Sequence, residues 1–123
     1  MSLSAAILAI APDPAFGASL GFVLEAEGCE VLLLKALPST HDSMNTFDCV
    51  IVDDNALINK EKNLNHLHAL ASPIILLVDR SDEFSVGESF WIIEKPILGL
   101  KLIEAVRSAL RAAYELRPQI YVT

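Results

Sequence analysis

Five short runs of branched apolar residues set the frame of this chain: "AILAI" at 6–10, "VLLL" at 31–34, "CVIV" at 49–52, "PIILLV" at 73–78 and "WII" at 91–93. None alternates apolar with polar residues, as a strand with one wet face does. Unbroken apolar runs of this length match strands covered on both faces of a parallel sheet. Parallel neighbours need a crossover of a dozen or more residues, usually a helix, so the segments between the runs should carry helices.

Two of those segments have clear helix signals. After "APDP", Asp13 can cap and Pro14 can take the first helical position; Phe16, Leu20, Val23 and Leu24 form one apolar face, and Gly28 ends the helix. From about 98 to 116, Leu98, Leu102, Val106, Leu110 and Ala113 form an apolar stripe, with Lys101, Glu104, Arg107 and Arg111 facing outward and Pro118 closing the pattern. The middle segments are weaker. Residues 60–70 make a fair helix, 37–45 hold at most two turns, and 81–89 leave little room for a regular one. Strand and helix thus alternate along the chain, which predicts an α/β domain with a doubly wound parallel sheet and right-handed crossovers. Residues 1–117 read as one domain and 118–123 as a tail or linker.

Composition narrows the function classes. Hydrophobic residues make up 53% of the 123, yet no apolar run approaches the roughly 18 residues of a membrane span, so no membrane partner is expected; "MSLSAAILAI" lacks the basic n-region of a secretory signal, and the chain reads as cytoplasmic. Nine basic against sixteen acidic residues give a net charge of −7, and the basic ones are scattered, which argues against direct nucleic-acid binding. Cys29 and Cys49 have no C-x-x-C spacing and neighbour apolar runs, so they read as buried thiols. His41, His66 and His68 have neither i, i+4 partners nor a companion cysteine for zinc. "STHDS" at 39–43 brings Ser, His and Asp together only as sequence neighbours, and reads as a polar turn and short helix. No nucleophile elbow, Walker loop or G-x-G-x-x-G is present, so a small hydrolase or nucleotide binder on this fold has no motif behind it.

Chemistry concentrates at strand ends. "FDCVIVDDN" runs from a greasy strand into two adjacent aspartates, Asp53 and Asp54, whose like charges repel unless a cation or donor stands nearby. In open α/β sheets the functional crevice lies at the carboxyl ends of the strands. Asp13, Asp53, Asp54, Asp79 and Lys95 all lie at or just past such ends.

With these residues the sequence resembles a response-regulator receiver domain, the phosphoacceptor module of two-component signalling. "DCVIVD" puts Asp53 where that family has its phosphorylated aspartate, "IIEKP" supplies the lysine and proline as Lys95 and Pro96, and "ILAIAPDPAFGASLGFVLEAEGCEV" follows the first strand and helix without a gap. The resemblance implies a flavodoxin-like, CheY-like (βα)5 fold with strand order 2-1-3-4-5 and shortened second and fourth helices. It implies a phosphorelay signalling module rather than an enzyme, with a sensor histidine kinase or phosphotransfer protein as partner. An effector domain, or a homodimer through the last strand and helix, is a further implied partner.

The departures from that family matter as much. Its acidic pair after the first strand, which holds Mg²⁺, is replaced by Ala11 and Pro12. The Ser or Thr at the end of its fourth strand is Val78, and its aromatic switch residue is Ile92, beside Trp91. Asp53, the carbonyl of Asn55 and Asp13 are the ligands left for Mg²⁺, while Asp13 also reads as a helix cap and Asp54 and Asp79 as loop carboxylates. Aspartyl phosphorylation needs cations to neutralise the transferring group, so the expectation is a pseudo-receiver: Asp53 as phosphoacceptor with impaired Mg²⁺-dependent chemistry, or an interaction module that works without phosphorylation.

Overall fold

The computed structural model describes residues 3–38, 44, 46–70, 72–79 and 90–116; for residues 60, 61, 64, 68 and 114–116 it describes the backbone only. Each apolar run forms a strand: β1 Ala6–Ile10, β2 Glu30–Leu34, β3 Cys49–Asp53, β4 Ile74–Val78 and β5 Phe90–Glu94. All neighbours pair in parallel, in the order β2-β1-β3-β4-β5. The helices are α1 Pro14–Ala26, α2 Lys60–His68 and α3 Gly99–Leu116. The short second and fourth helices expected at 37–45 and 81–89, the "STHDS" stretch with His41, and the tail at 118–123 lie wholly or mostly outside the described residues.

The sheet separates two apolar layers. On one face α1 and α3 cover Ile7, Ala9, Ile51, Ile75 and Leu77, with Leu20, Leu24, Leu102 and Val106 supplied by the helices. On the other, Leu67 of α2 and Met44 pack with Leu8, Ile10, Val50, Val52 and Leu76. All five residues of β3 and of β4 are buried, as central strands with helices on both sides should be. The edge strands depart from that pattern: β2 leaves Leu32 and Leu33 exposed and β5 is half-buried, because each has a neighbour on one side only.

Local signals account for the helix ends. The Asp13 side chain accepts from the Ala15 N–H with Pro14 in the first turn, and Gly28 takes φ 93°, a left-handed conformation that favours glycine. The apolar stripe expected on α3 is shifted. Leu98 is exposed and precedes the helix, giving its carbonyl to the Leu102 N–H, while Leu102, Ile103, Val106 and Ala109 face the sheet. With Leu98 outside the helix, the buried face is counted from Leu102 rather than from Leu98.

Asp48 fixes the register at the strand starts: its N–H donates to the Ala6 carbonyl at 2.8 Å and its carboxylate accepts from the Ala6 N–H at 2.8 Å. The two cysteines are buried and free. Cys49 pairs with Ile7 on one side of β1, while Cys29 precedes the Glu30–Ala6 pair on the other, so a whole strand separates them. Two strand spacings of about 4.8 Å exceed the reach of a disulfide. Burial pushes both thiols up, Cys49 to about 12.

Candidate functional site

β3 delivers Asp53 to the carboxyl edge of the sheet, and the chain then turns at once through a 3-10 turn, Asp54–Ala56. The Asn55 N–H donates back to Asp53 Oδ1 at 3.2 Å, which closes that turn. A continuing strand would send Asp53 and Asp54 to opposite faces. The turn instead brings both carboxylates to one cation. β5 ends one residue before Lys95, whose backbone N–H donates to the Val78 carbonyl at 2.7 Å and so holds the side chain over the ends of β3 and β4.

Lys95 Nζ stands 2.6 Å from Asp53 Oδ1 and 3.0 Å from Asp54 Oδ1. It also lies 3.5 Å from Asp79 Oδ1, whose side chain is 62% exposed, whereas those of Asp53 and Asp54 are only 2% and 5% exposed. Asp54 has a second tie, since the Asp79 N–H donates to its Oδ2 at 3.1 Å. One carboxylate therefore links the ends of β3, β4 and β5. The Phe16 ring of α1 completes the enclosure, its centroid 5.4 Å from Lys95 Nζ, within range of a cation–π contact.

The electrostatics follow from this crowding. For Asp54, burial alone would raise the carboxyl, but the Lys95 ammonium and the Asp79 N–H outweigh it and hold the group below its ordinary value of 3.8. Burial alone would lower Lys95; its bonds to Asp53 and Asp54 outweigh that and keep the ammonium above its ordinary 10.5. Asp54 and Lys95 are thus held in their charged forms, and the repulsion between adjacent carboxylates is relieved by a shared ammonium.

Among the sequence-derived site residues, Asp53 and Lys95 meet as expected. Asp54 is not the solvated loop carboxylate that its position suggested, because the 3-10 turn carries it inward to two donors. Asp13 is exposed and its Oδ1 accepts from the Ala15 N–H at 3.3 Å, which is its capping bond. Asn55 is exposed, Val78 is fully buried, and Ile92 and Trp91 are half-buried. Periodicity puts Phe16 on the apolar face of α1; its contact with Lys95 has no signal in the sequence, since nothing in the helical period says which strand end it faces.

A magnesium ion, which the resemblance implies, asks for octahedral oxygen ligands including one or two available carboxylates. Ala11 and Pro12 offer no side-chain oxygen, Asp13 is committed to its cap, and Asp53 and Asp54 are already bonded to the Lys95 ammonium. No group of three His, Cys, Asp or Glu side chains is arranged for a metal among the described residues. The residues present do not fit the ion.

No protein-family model and no curated protein matches the sequence. Solved structures do match. A receiver domain (CheY-like) of a response regulator from Methylobacillus flagellatus superposes with a TM-score of 0.73 at 20% identity, over 86% of this chain and 98% of that one. One from Clostridium thermocellum gives 0.66 at 21%, over 91% and 98%. Full-length FixJ from B. japonicum gives 0.65 at 22%, over 92% of this chain and 60% of FixJ. The strand order, the site at the end of β3 and these superpositions agree: the chain has the fold of response-regulator receiver domains.

Proposed function

We propose that this chain is a signalling module of the receiver type whose Asp53 site is held closed by Lys95, so that it acts through protein association rather than through Mg²⁺-dependent aspartyl phosphorylation. The observation that carries the reading is the single ammonium bonded to both Asp53 and Asp54, together with Ala11 and Pro12 where a cation would need carboxylates. A shared buried ion pair of this kind is costly to break. The association surface that fits best is the groove between β5 and the start of α3, lined by Ile92, Ile93, Pro96, Leu98, Lys101 and Glu104. Leu98, which lines the groove, is exposed, and so is Leu100 two residues further on. The occupant is an effector domain or a second copy of the chain.

A second reading keeps the phosphorelay itself, with Asp53 as phosphoacceptor and a histidine kinase or phosphotransfer protein as donor. It is favoured by the place of Asp53 at the carboxyl end of a central strand with a lysine 2.6 Å away. Trp91 decides between the two, since it lies in β5 opposite Ile75 and four residues from Lys95. Its fluorescence is followed while Mg²⁺ and then beryllofluoride, a mimic of an aspartyl phosphate, are added. A flat response supports the closed site. A saturable change that disappears in Asp53→Asn supports the phosphorelay and overturns the first reading.

A further inference from the structure

We propose that Asp54 is an autoinhibitory carboxylate: it holds the two hydrogen-bond donors, the Lys95 ammonium and the Asp79 amide, that a phosphoryl group on Asp53 would require. This rests on the reading of Asp53 as the residue closed off by Lys95, and it names what does the closing.

Hydrogen-bond donors are the scarce element at this edge. A phosphoryl group brings about −1.5 to −2 charge and three strong acceptor oxygens, and in a buried position each of these needs a partner. The Asn55 N–H already belongs to Asp53 itself. Val78, at the end of β4, is buried and has no hydroxyl to give. Among the described residues, the donors shown to reach Asp54 at this edge are Lys95 Nζ and the N–H of Asp79. Asp54 takes both, with Oδ1 on Lys95 at 3.0 Å and Oδ2 on Asp79 at 3.1 Å.

Charge points the same way. Lys95 already answers three carboxylates, those of Asp53, Asp54 and Asp79. A phosphoryl group on Asp53 would add a further anion against that one ammonium. Removing the Asp54 carboxylate returns both donors and subtracts one negative charge, and it leaves Asp53 and its 2.6 Å contact with Lys95 in place. The adjacency of two aspartates at the strand end thus has a use: the second occupies, from within the chain, the contacts that a ligand on the first would make.

The test uses the full chain as wild type, Asp54→Ala, Asp54→Asn and the double variant Asp53→Asn with Asp54→Ala. Each is incubated with acetyl phosphate, with and without Mg²⁺, and read by intact mass. In the labelling step an Asp53 carboxylate oxygen forms a bond to phosphorus while the P–O bond to the acetyl group breaks, and acetate leaves with the electron pair. Recovery of a charge-assisted hydrogen bond is worth about tenfold or more. Asp54→Ala is expected to label at least about tenfold faster than wild type, and the double variant not at all. Asp54→Asn falls between, because its amide oxygen still accepts from Asp79 while its amide nitrogen cannot accept from Lys95. The Asn variant keeps size and shape, so it carries the test if the Ala variant does not fold. Folded variants that label no faster than an inert wild type overturn the autoinhibition and leave the closed-site reading standing. A wild type that labels as fast as the variants overturns both.

Discussion

Replacing Lys95 with methionine removes the ammonium and keeps most of the apolar stem, so it isolates the charge. Two carboxylates, 2% and 5% exposed, then lose their shared cation. Removing one partner of a buried ion pair costs about 3–5 kcal/mol; the Lys95 side chain is 18% exposed, which puts the expected loss at the lower end, about 3 kcal/mol at pH 7. The contact with Asp79, 62% exposed, adds little. Urea unfolding followed at Trp91 reads this directly: with a slope of about 1–3 kcal/mol/M the midpoint falls by about 1–3 M. The loss must also depend on pH. Asp54 is held below its ordinary value, so the stability it contributes is present above about pH 4 and disappears as pH falls through its lowered folded value. Lys95 is held above its ordinary value, so its contribution is present below about pH 10 and disappears as pH rises through the raised value. The wild type should therefore show a plateau between about pH 5 and 10, with the Lys95→Met difference shrinking in acid. A loss under about 1 kcal/mol, or a difference equal at pH 3 and pH 7, refutes the reasoning.

Three further outcomes follow from the packing. Asp48→Ala deletes the acceptor for the Ala6 N–H and should cost about 1 kcal/mol in urea unfolding without changing the slope. Leu76→Ala, at a fully buried position on β4, should cost about 2–5 kcal/mol; a loss under 1 kcal/mol would mean that this face is not packed as described. Cys49, fully buried and with its thiol pushed up to about 12, should resist an alkylating reagent at pH 8 in the native state and react at once in urea, whereas rapid native labelling would contradict its burial.

The sheet was legible in the sequence because its signal is repeated and physical: five apolar runs, separated by enough chain for crossovers, leave few arrangements other than a parallel doubly wound sheet. The helix boundaries at Asp13, Pro14 and Gly28 were legible for the same kind of reason, since capping and left-handed turns demand particular residues. The α3 stripe was misplaced at Leu98 because an apolar period does not say where the helix starts. The site was legible in part. Adjacent aspartates at the end of a buried strand and a lysine at the end of another announce a charge cluster, but not which carboxylate meets which donor. Asp54 turns inward through a single 3-10 turn, and Phe16 meets Lys95 across the fold. Both contacts are set by how elements far apart in sequence converge, which no local pattern encodes.

Whether Asp53 is closed off by a lysine shared with Asp54 can be read from the amide and lysine-ammonium NMR spectrum of the full chain. Signals of Asp53, Asp54, Asp79 and Lys95 are followed before and after addition of Mg²⁺ and a small acyl phosphate. With the clamp in place they stay where they are, and the Lys95 ammonium is protected from exchange throughout. A saturable shift of Asp79 and Lys95 that is abolished in Asp53→Asn would contradict it, and would mean that the site opens to metal and phosphoryl donor despite the clamp.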